Sequence, residues 1–253
     1  MVNEAELIRA ILESPDEDAP RLAYADACQD KSRADFIRVQ LKRRAILGDI
    51  GNPRSLRYER ISAELSDQYG AEWAKDIAPL VQAYSFWAGF IEEVSVSCDQ
   101  FLKIAPDLFS RAPIRHLNLT SMNGRASEFS SPYLARIRSL VLDNCKLGNA
   151  EIEILSKSSL LADLRWLSLA RNQIEFSGFQ SMAKSTRLKS LKYVNFFGNL
   201  ADPSEELSTD QGVILSARLS PDGKRLEKEF GYIRWLHCED ETVANFPPSR
   251  YSI

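Results

Sequence analysis

The stretch Leu164-Arg-Trp-Leu167-Ser-Leu169-Ala-Arg-Asn172 contains the pattern that decides the fold of this chain. Its apolar residues follow the spacing L-x-x-L-x-L, and an asparagine comes three positions after the last leucine. The pattern occurs three more times. Its central residue recurs after 23, 27 and 27 positions, at Leu117, Leu140, Leu167 and Val194. Because successive side chains of a strand point to opposite faces, each copy predicts a short strand with one apolar face.

A fixed period of this length with this apolar pattern is typical of leucine-rich repeats. One repeat cannot bury its leucines alone, so neighbouring repeats stack around a continuous core. The segments 152–161 and 176–188 carry apolar residues near helical spacing. We therefore predict an α/β solenoid, in which residues 114–199 form a short leucine-rich-repeat arc with a parallel concave sheet and helical convex arms.

One position of each repeat is expected to turn inward just after the strand. It is occupied by Met122, Cys145, Asn172 and Asn199. A buried polar side chain must find hydrogen-bond partners. We expect the side chain at this position to satisfy backbone groups that the turn leaves unpaired.

The sequence predicts a small all-helical module at residues 1–72. Asn3 is a suitable N-cap for the first helix, and Pro20 suits the first turn of the second. A third helix is predicted from about Arg33 and a fourth from about Ser55, because apolar residues recur there at helical spacing.

Two segments of this module, Ser14-Pro-Asp-Glu-Asp-Ala-Pro-Arg21-Leu-Ala-Tyr-Ala-Asp26 and Arg33-Ala-Asp-Phe-Ile-Arg38-Val-Gln40, resemble the bacterial repeat-companion domain. That domain is found in myxobacteria and planctomycetes, often ahead of leucine-rich repeats. The resemblance continues through Trp87-Ala-Gly89-Phe90 into the repeats. It departs at Ala27-Cys28, where the family usually has Trp-Leu. The resemblance implies the fold and a bacterial protein, but no particular reaction.

The polar residues of this motif have two interpretations. In the structural one, Asp16 or Asp18 caps the second helix, and Arg21 and Arg38 tie the helices together through Asp26. We therefore assign a structural role to Asp18, Arg21, Asp26 and Arg38. In the alternative, the same arginines form a binding site for a peptide or a phosphate.

Residues 73–113 are interpreted as a join that contains a degenerate capping repeat. A strand is predicted over 90–97 and a helix over 101–109, with Asp99 as its cap. Residues 200–253 are predicted to be a C-terminal cap of the repeats. Within it we expect an acidic loop at 201–211, a strand at 213–219, a turn at 220–223, a helix at 224–230 and a second strand at 232–237, with Pro247-Pro248 ending the regular structure.

Composition and motifs disfavour several functional classes. The 253 residues carry a net charge of −3 and no apolar run of the ~20 residues that a membrane span needs. The four cysteines are scattered, as in a cytoplasmic protein with reduced thiols. His237, Cys238, Glu239 and Asp240 are adjacent, without the second cluster that a metal site requires. We expect no catalytic residue, metal or cofactor.

The outward strand positions form the surface on which we expect a partner to bind. Large aromatic side chains on a solvent-facing sheet are enriched at binding hot spots. The predicted partner-binding residues are His116, Asn118, Asp143, Trp166, Ser168, Tyr193, Asn195 and Phe197. The alternative is that the C-terminal cap, or Trp235 within it, folds back over these rings.

We therefore expect a non-enzymatic, scaffold-like module that binds a protein or peptide through its concave face; a specific version is the dedicated partner of one enzyme or toxin. One alternative is an enzyme, or an accessory or regulatory subunit required for an enzyme's activity, in which Arg21, Asp26 and Arg38 act with His116 or His237. Another is nucleic-acid binding through the face at 31–60, where nine basic residues stand against three acidic ones. The acidic first 30 residues make nucleic acid the less favoured partner.

Overall fold

A computed structural model describes residues 3–47, 49, 52–125, 129–203, 205–210 and 213–237. These residues form eight α-helices and eight strands, and the strands between residues 116 and 195 pair in parallel. The predicted α/β class is therefore confirmed. The chain divides into two compact units. Of the described residues, the first contains 3–47, 49, 52–95 and 104–115, and the second contains 96–103, 116–125, 129–203, 205–210 and 213–237.

Four helices dominate the first unit. They are α1 at Glu4–Glu13, α2 at Asp18–Ala27, α3 at Lys31–Arg44 and α4 at Pro53–Trp73. Asn3, Asp30 and Asn52 each accept a hydrogen bond from a backbone N–H of the following first turn. The side-chain cap at Asp30 explains why α3 begins two residues before the predicted start at Arg33.

The first unit also contains a β-hairpin. Strand β1, Ala83–Trp87, pairs antiparallel with β2, Phe90–Ser97. The sequence predicted β2 but not β1. Ala88 and Gly89 form the turn with φ values of 48° and 88°. Helix α5 then runs from Cys98 to Arg111, so Asp99 lies in its first turn rather than at its cap.

Four parallel strands organise the second unit. They are β3 at His116–Thr120, β4 at Ser139–Val141, β5 at Trp166–Ser168 and β6 at Tyr193–Asn195. Leu117, Leu140, Leu167 and Val194 are paired one to one and are at most 3% exposed. The register predicted from the apolar pattern is therefore confirmed. Helix α6, Asn149–Lys157, and helix α7, Phe176–Ala183, occupy the two predicted helical segments.

A ladder of inward side chains links successive strands at their C-terminal ends. Asn172 accepts from the backbone N–H groups of Cys145 and Leu147, at 3.0 and 3.1 Å. Its amide nitrogen donates to the carbonyls of Leu142 and Leu169, at 2.8 and 2.9 Å. Asn199 repeats the arrangement one strand later. The expectation that this position satisfies backbone groups is confirmed for both asparagines.

The residue before each ladder position has a left-handed backbone. Ser121, Asn144, Arg171 and Gly198 have φ values of 59°, 53°, 55° and 75°. This conformation turns the chain so that the next side chain points into the core. Glycine adopts it without strain, whereas other residues do so at some cost.

The end of the second unit differs from the prediction in three places. Strand β7, Glu205–Asp210, lies within the predicted acidic loop and pairs antiparallel with β8, Val213–Leu219. The predicted turn at 220–223 is the start of helix α8, Pro221–Phe230, because the Ser220 hydroxyl accepts from the backbone N–H of Gly223. A short 3-10 helix, Arg234–Leu236, replaces the predicted last strand. Pro247-Pro248 lie outside the described residues.

No described helix combines the length and the apolar character that crossing a membrane requires.

Candidate functional site

The outward residues of strands β3 to β6 form columns across the sheet. His116, Ser139, Trp166 and Tyr193 are successive partners in one column, and Asn118, Val141, Ser168 and Asn195 in the next. The backbone of Phe197 continues the pairing beyond β6, since its carbonyl accepts from the N–H of Arg171. The structure thus brings the predicted partner-binding residues of these strands onto one sheet face.

The exposure of this face differs from the prediction. Trp166 is only 8% exposed and Ser168 only 5%. The rings of Trp166 and Tyr193 pack together, with centroids 5.0 Å apart. Trp235 packs on Phe196, at a centroid distance of 5.5 Å. Trp166 is therefore a buried side chain of this face rather than a solvent-facing anchor.

Several polar residues of the face hold the strands in register. The Asp143 carboxylate accepts from the backbone N–H of Ala170 at 3.1 Å. The Asn195 amide donates to the Ser168 hydroxyl at 3.2 Å and accepts from the backbone N–H of Phe197. These contacts give Asp143, Ser168 and Asn195 a structural role within the sheet.

The exposed apolar part of this region lies at the turn after β6. Phe197 is 62% exposed and Leu200 is 70% exposed. Between them, Gly198 has a φ of 75°, and the partly buried hydrogen bonds of Asn199 anchor the turn. The backbone N–H groups of Leu200 and Ala201 also donate to the carbonyl of Ile174. We call Phe197 and Leu200 the Phe197 surface.

Sequence reasoning identified only half of this surface. Phe197 follows from the alternation of the strand, which continues two residues beyond Asn195. Leu200 was missed because the strand pattern ends at Asn199, and the residue type alone does not show whether a leucine is exposed. The available signal was Gly198, which lies between Phe197 and Leu200 and favours a turn; its φ is 75°.

In the first unit, Arg21 and Gln40 recognise the turn of the β1–β2 hairpin. Arg21 is fully buried and donates to the Ala88 carbonyl at 3.0 Å. Gln40 accepts from the backbone N–H of Gly89 at 2.6 Å and donates to Ser62. The motif's polar residues therefore dock the hairpin onto the helices.

The ion pairs of this motif differ in part from the prediction. Arg38 binds Asp26 at 2.7 Å, as expected. Arg21 instead binds Glu92 at 2.7 Å and also donates to the Pro15 carbonyl. Asp18 pairs with Arg44 and does not cap α2, which begins at Asp18 itself. Arg21 selects Glu92 because both side chains are buried, whereas Asp26 is mainly exposed.

Burial makes Glu92 a pH-sensitive group. It raises the pKa of Glu92 to about 7, although the nearby cations Arg21, Arg44 and Arg115 act in the opposite direction. A carboxyl with a raised pKa binds protons more tightly in the folded state than in the unfolded state. Its contribution to stability is therefore complete below its ordinary pKa of 4.5 and is lost as the pH rises through about 7.

We expect the Glu92→Gln variant to lose this pH dependence. Glutamine cannot ionise, so the free energy of unfolding of the variant should fall less than that of the wild type between pH 4.5 and about 7. Urea denaturation at a series of pH values, followed by circular dichroism, measures how the free energy of unfolding of each protein changes with pH. An equal change in the wild type and the variant would contradict the assignment of this pH dependence to Glu92.

The basic segment 31–60 offers fewer exposed cations than its sequence suggests. Arg33 is 8% exposed, burial lowers its pKa to about 10, and its guanidinium lies 4.9 Å from the Trp73 ring centroid. Other arginines are in ion pairs with carboxylates, namely Arg38, Arg43, Arg44 and Arg60. Five of the nine basic residues are thus buried or paired.

His237 and two carboxylates of a first-unit cavity are engaged in hydrogen bonds. His237 binds Glu227 at 2.7 Å and stacks on Tyr232. A cavity of about 410 Å³ in the first unit is lined in part by Glu4, Tyr24 and Asp30. Both carboxylates there accept hydrogen bonds, from Tyr24 and from Trp73. Within the described residues no group of three or more His, Cys, Asp or Glu side chains could hold a metal ion; Cys238, Glu239 and Asp240 lie outside them.

Comparisons of this chain with protein-family models, curated proteins and solved structures find no match.

Proposed function

We propose that this chain is a cytoplasmic bacterial leucine-rich-repeat protein with a repeat-companion module, and that it binds another protein or peptide without catalysing a reaction. The Phe197 surface is the proposed contact.

The observation that carries the proposal is the exposure of two large apolar side chains in one anchored turn. Phe197 and Leu200 are three residues apart and 62% and 70% exposed, although Phe196 beside them is fully buried. Exposed apolar groups that lie together mark interaction sites more often than single ones do. A rigid turn also loses little conformational entropy when a partner binds.

The one-to-one register of strands β3 to β6 is a second support. Stacked repeats place outward side chains in columns and create an extended surface for a partner. In this chain the columns end at β6, next to the Phe197 surface. One ligand could then make apolar contacts with the Phe197 surface and polar contacts with the outward side chains of the columns.

The test compares two double variants of the tagged protein. Phe197→Ser/Leu200→Ser removes the proposed contact, whereas Leu56→Ser/Ile154→Ser removes two other exposed apolar side chains, which are 75% and 49% exposed. A partner captured from the host by the wild type is identified, purified and titrated by calorimetry. We expect the first variant to bind at least about tenfold more weakly, as for a hot-spot residue, and the control to bind like the wild type.

Two results would oppose the proposal. One is a partner that binds the Phe197→Ser/Leu200→Ser variant with unchanged affinity. The other is an equal loss in both variants, which would indicate non-specific apolar association. Circular dichroism of each variant verifies that the fold is retained. Trp166→Ala is a poor probe, because Trp166 is buried and its removal would leave a cavity.

A further inference from the structure

A cavity of about 540 Å³ lies at the C-terminal ends of helices α6 and α7. Its lining comes from two segments, 153–157 at the end of α6 and 181–187 at the end of α7 and in the loop that follows. Ligand-binding cavities measure about 300–1,000 Å³, so this one is large enough for a small molecule. We call it the α6–α7 cavity.

Ser185 holds the loop after α7 in place against the end of α6. Its hydroxyl donates to the carbonyl of Ser156 and accepts from the backbone N–H groups of Arg187 and Leu188, the last two at 3.1 and 3.3 Å. Leu188 is buried. A hydroxyl has one donor and two acceptor sites, so Ser185 is fully used within the protein. The cavity wall at 185–187 is therefore formed before any ligand binds.

The charged side chains of the α6–α7 cavity are mainly basic. Lys157 binds the carboxylate of Glu153, so these two charges offset each other. The ammonium group of Lys184 lies 5.5 Å from the ring centroid of Phe230, a contact that leaves its positive charge in place. Arg187 is exposed, and within the described part of the chain neither it nor Lys184 has a carboxylate at ion-pair distance.

Arg187 is the more informative of these two cations. Lys184 directly follows α7 and offsets the negative end of that helix, as Lys157 does at the end of α6. Arg187 lies beyond the loop residues that follow Ala183, the last residue of α7, where the helix dipole has little effect. The described fold therefore gives the charge of Arg187 no partner, and an anionic ligand would supply one.

The uncharged groups of the lining provide both kinds of hydrogen bond. Thr186 has neither its backbone N–H nor its hydroxyl bonded to a described residue, so both can donate to a ligand. The hydroxyls of Ser156 and Ser181 donate to carbonyls of their own helices, at 2.8 and 3.1 Å. They can therefore only accept from a ligand. The loop offers donors, and the helix ends offer acceptors.

We propose that the α6–α7 cavity binds a small phosphorylated polyol of the sugar-phosphate class. Phosphate oxygens suit the guanidinium of Arg187, the ammonium of Lys184 and the donors of Thr186, because charge-assisted hydrogen bonds are the stronger ones. The hydroxyls of the polyol then donate to the serine acceptors on the two helices. The inference goes beyond the proposed function, because no residue of the Phe197 surface lines this cavity.

The lining favours a ligand without a nucleobase. Proteins bind bases by stacking them on aromatic rings. Among the described residues, none that lines the cavity is aromatic, and the ring of Phe230 is occupied by Lys184. The cavity therefore offers charge and hydrogen bonds without a stacking platform.

Two matched variants test the proposal. Arg187→Gln removes the charge from the cavity, whereas Arg165→Gln removes one from another exposed arginine of the same unit that does not line it. Binding is measured by calorimetry with ribose 5-phosphate, glucose 6-phosphate and glycerol 3-phosphate as probes, and with glucose and inorganic phosphate as reference ligands. Amide chemical shifts of isotope-labelled protein show where each probe binds.

We expect at least one phosphorylated probe to bind the wild type and Arg165→Gln with equal affinity. It should bind Arg187→Gln at least about tenfold more weakly, as the loss of a charge-assisted hydrogen bond predicts. The amide shifts should be largest at 181–187, and glucose should not bind.

Four results would overturn the proposal. They are no binding of any phosphorylated probe, an unchanged affinity in Arg187→Gln, an equal loss in both variants, and inorganic phosphate that binds as tightly as the best probe. Circular dichroism of each variant verifies that the fold is retained. None of these results depends on Phe197 or Leu200, so the two proposals can fail separately.

Discussion

The Gly89→Ala variant is expected to lower the free energy of unfolding of the first unit by about 4 kcal/mol. Gly89 has a φ of 88°, and an added Cβ would lie 2.8 Å from the Ile37 Cα and 2.9 Å from its Cβ. The backbone of α3 cannot move away without disturbing the core. The displaced turn would also weaken the bond from the Gly89 N–H to Gln40 and the bond from Arg21 to the Ala88 carbonyl.

Gly231→Ala is the matched control for this variant. Gly231 has a φ of 78°, and an added Cβ would meet nothing within 4 Å. It therefore measures the backbone cost of a non-glycine residue alone, which is on the order of 1 kcal/mol. Urea denaturation monitored by circular dichroism compares both variants with the wild type. A similar loss in the two would show that the close approach of Gly89 to Ile37 is unimportant.

The Asn172→Leu variant is expected to destabilise the second unit by about 4 kcal/mol. Leucine has a similar shape but leaves five backbone groups without the partner that Asn172 provides. Each unsatisfied buried group costs roughly 1–3 kcal/mol, and local relaxation recovers part of this sum. The groups belong to both neighbouring strand ends, so the substitution weakens the link between them.

Asn199→Leu serves as the comparison for Asn172. Asn199 has the same position one strand later, is only partly buried, and bonds to three backbone groups rather than the five that Asn172 binds. We expect its loss of stability to be clearly smaller, since water can reach some of the freed groups. Chemical denaturation of both variants shows which of them loses more stability. A larger loss for Asn199 than for Asn172 would argue that burial does not control the energy of this ladder.

The regular part of the fold could be predicted because its cause is local. Leu117, Leu140, Leu167 and Val194 recur at a fixed period, and alternation along a strand decides which side chains face the core. The register and the inward asparagines follow from the same pattern. At the end of the second unit the pattern stops. There Ser220 resembled a turn residue, although its hydroxyl caps α8.

The candidate site was predicted less well, because exposure depends on what packs nearby. Alternation placed Trp166 and Phe197 on the same outward face. It could not show that Trp166 packs on Tyr193 and is 8% exposed, whereas Phe197 extends from the turn and is 62% exposed. Arg138, Arg165 and Lys192 recur at the repeat period in the sequence, yet only the pairing of the strands brings their backbones together.

The amino-acid sequence by itself determined the parallel strands, their register and the helical character of the first module, since these follow from short-range periodicity and from turn and capping residues. Only the tertiary structure decided that Arg21 binds Glu92 and the hairpin turn rather than Asp26, because the two acids differ in burial and not in their local sequence. It also decided which apolar side chains are accessible to a partner. Burial results from contacts between residues far apart in the chain, and periodicity carries no information about such contacts.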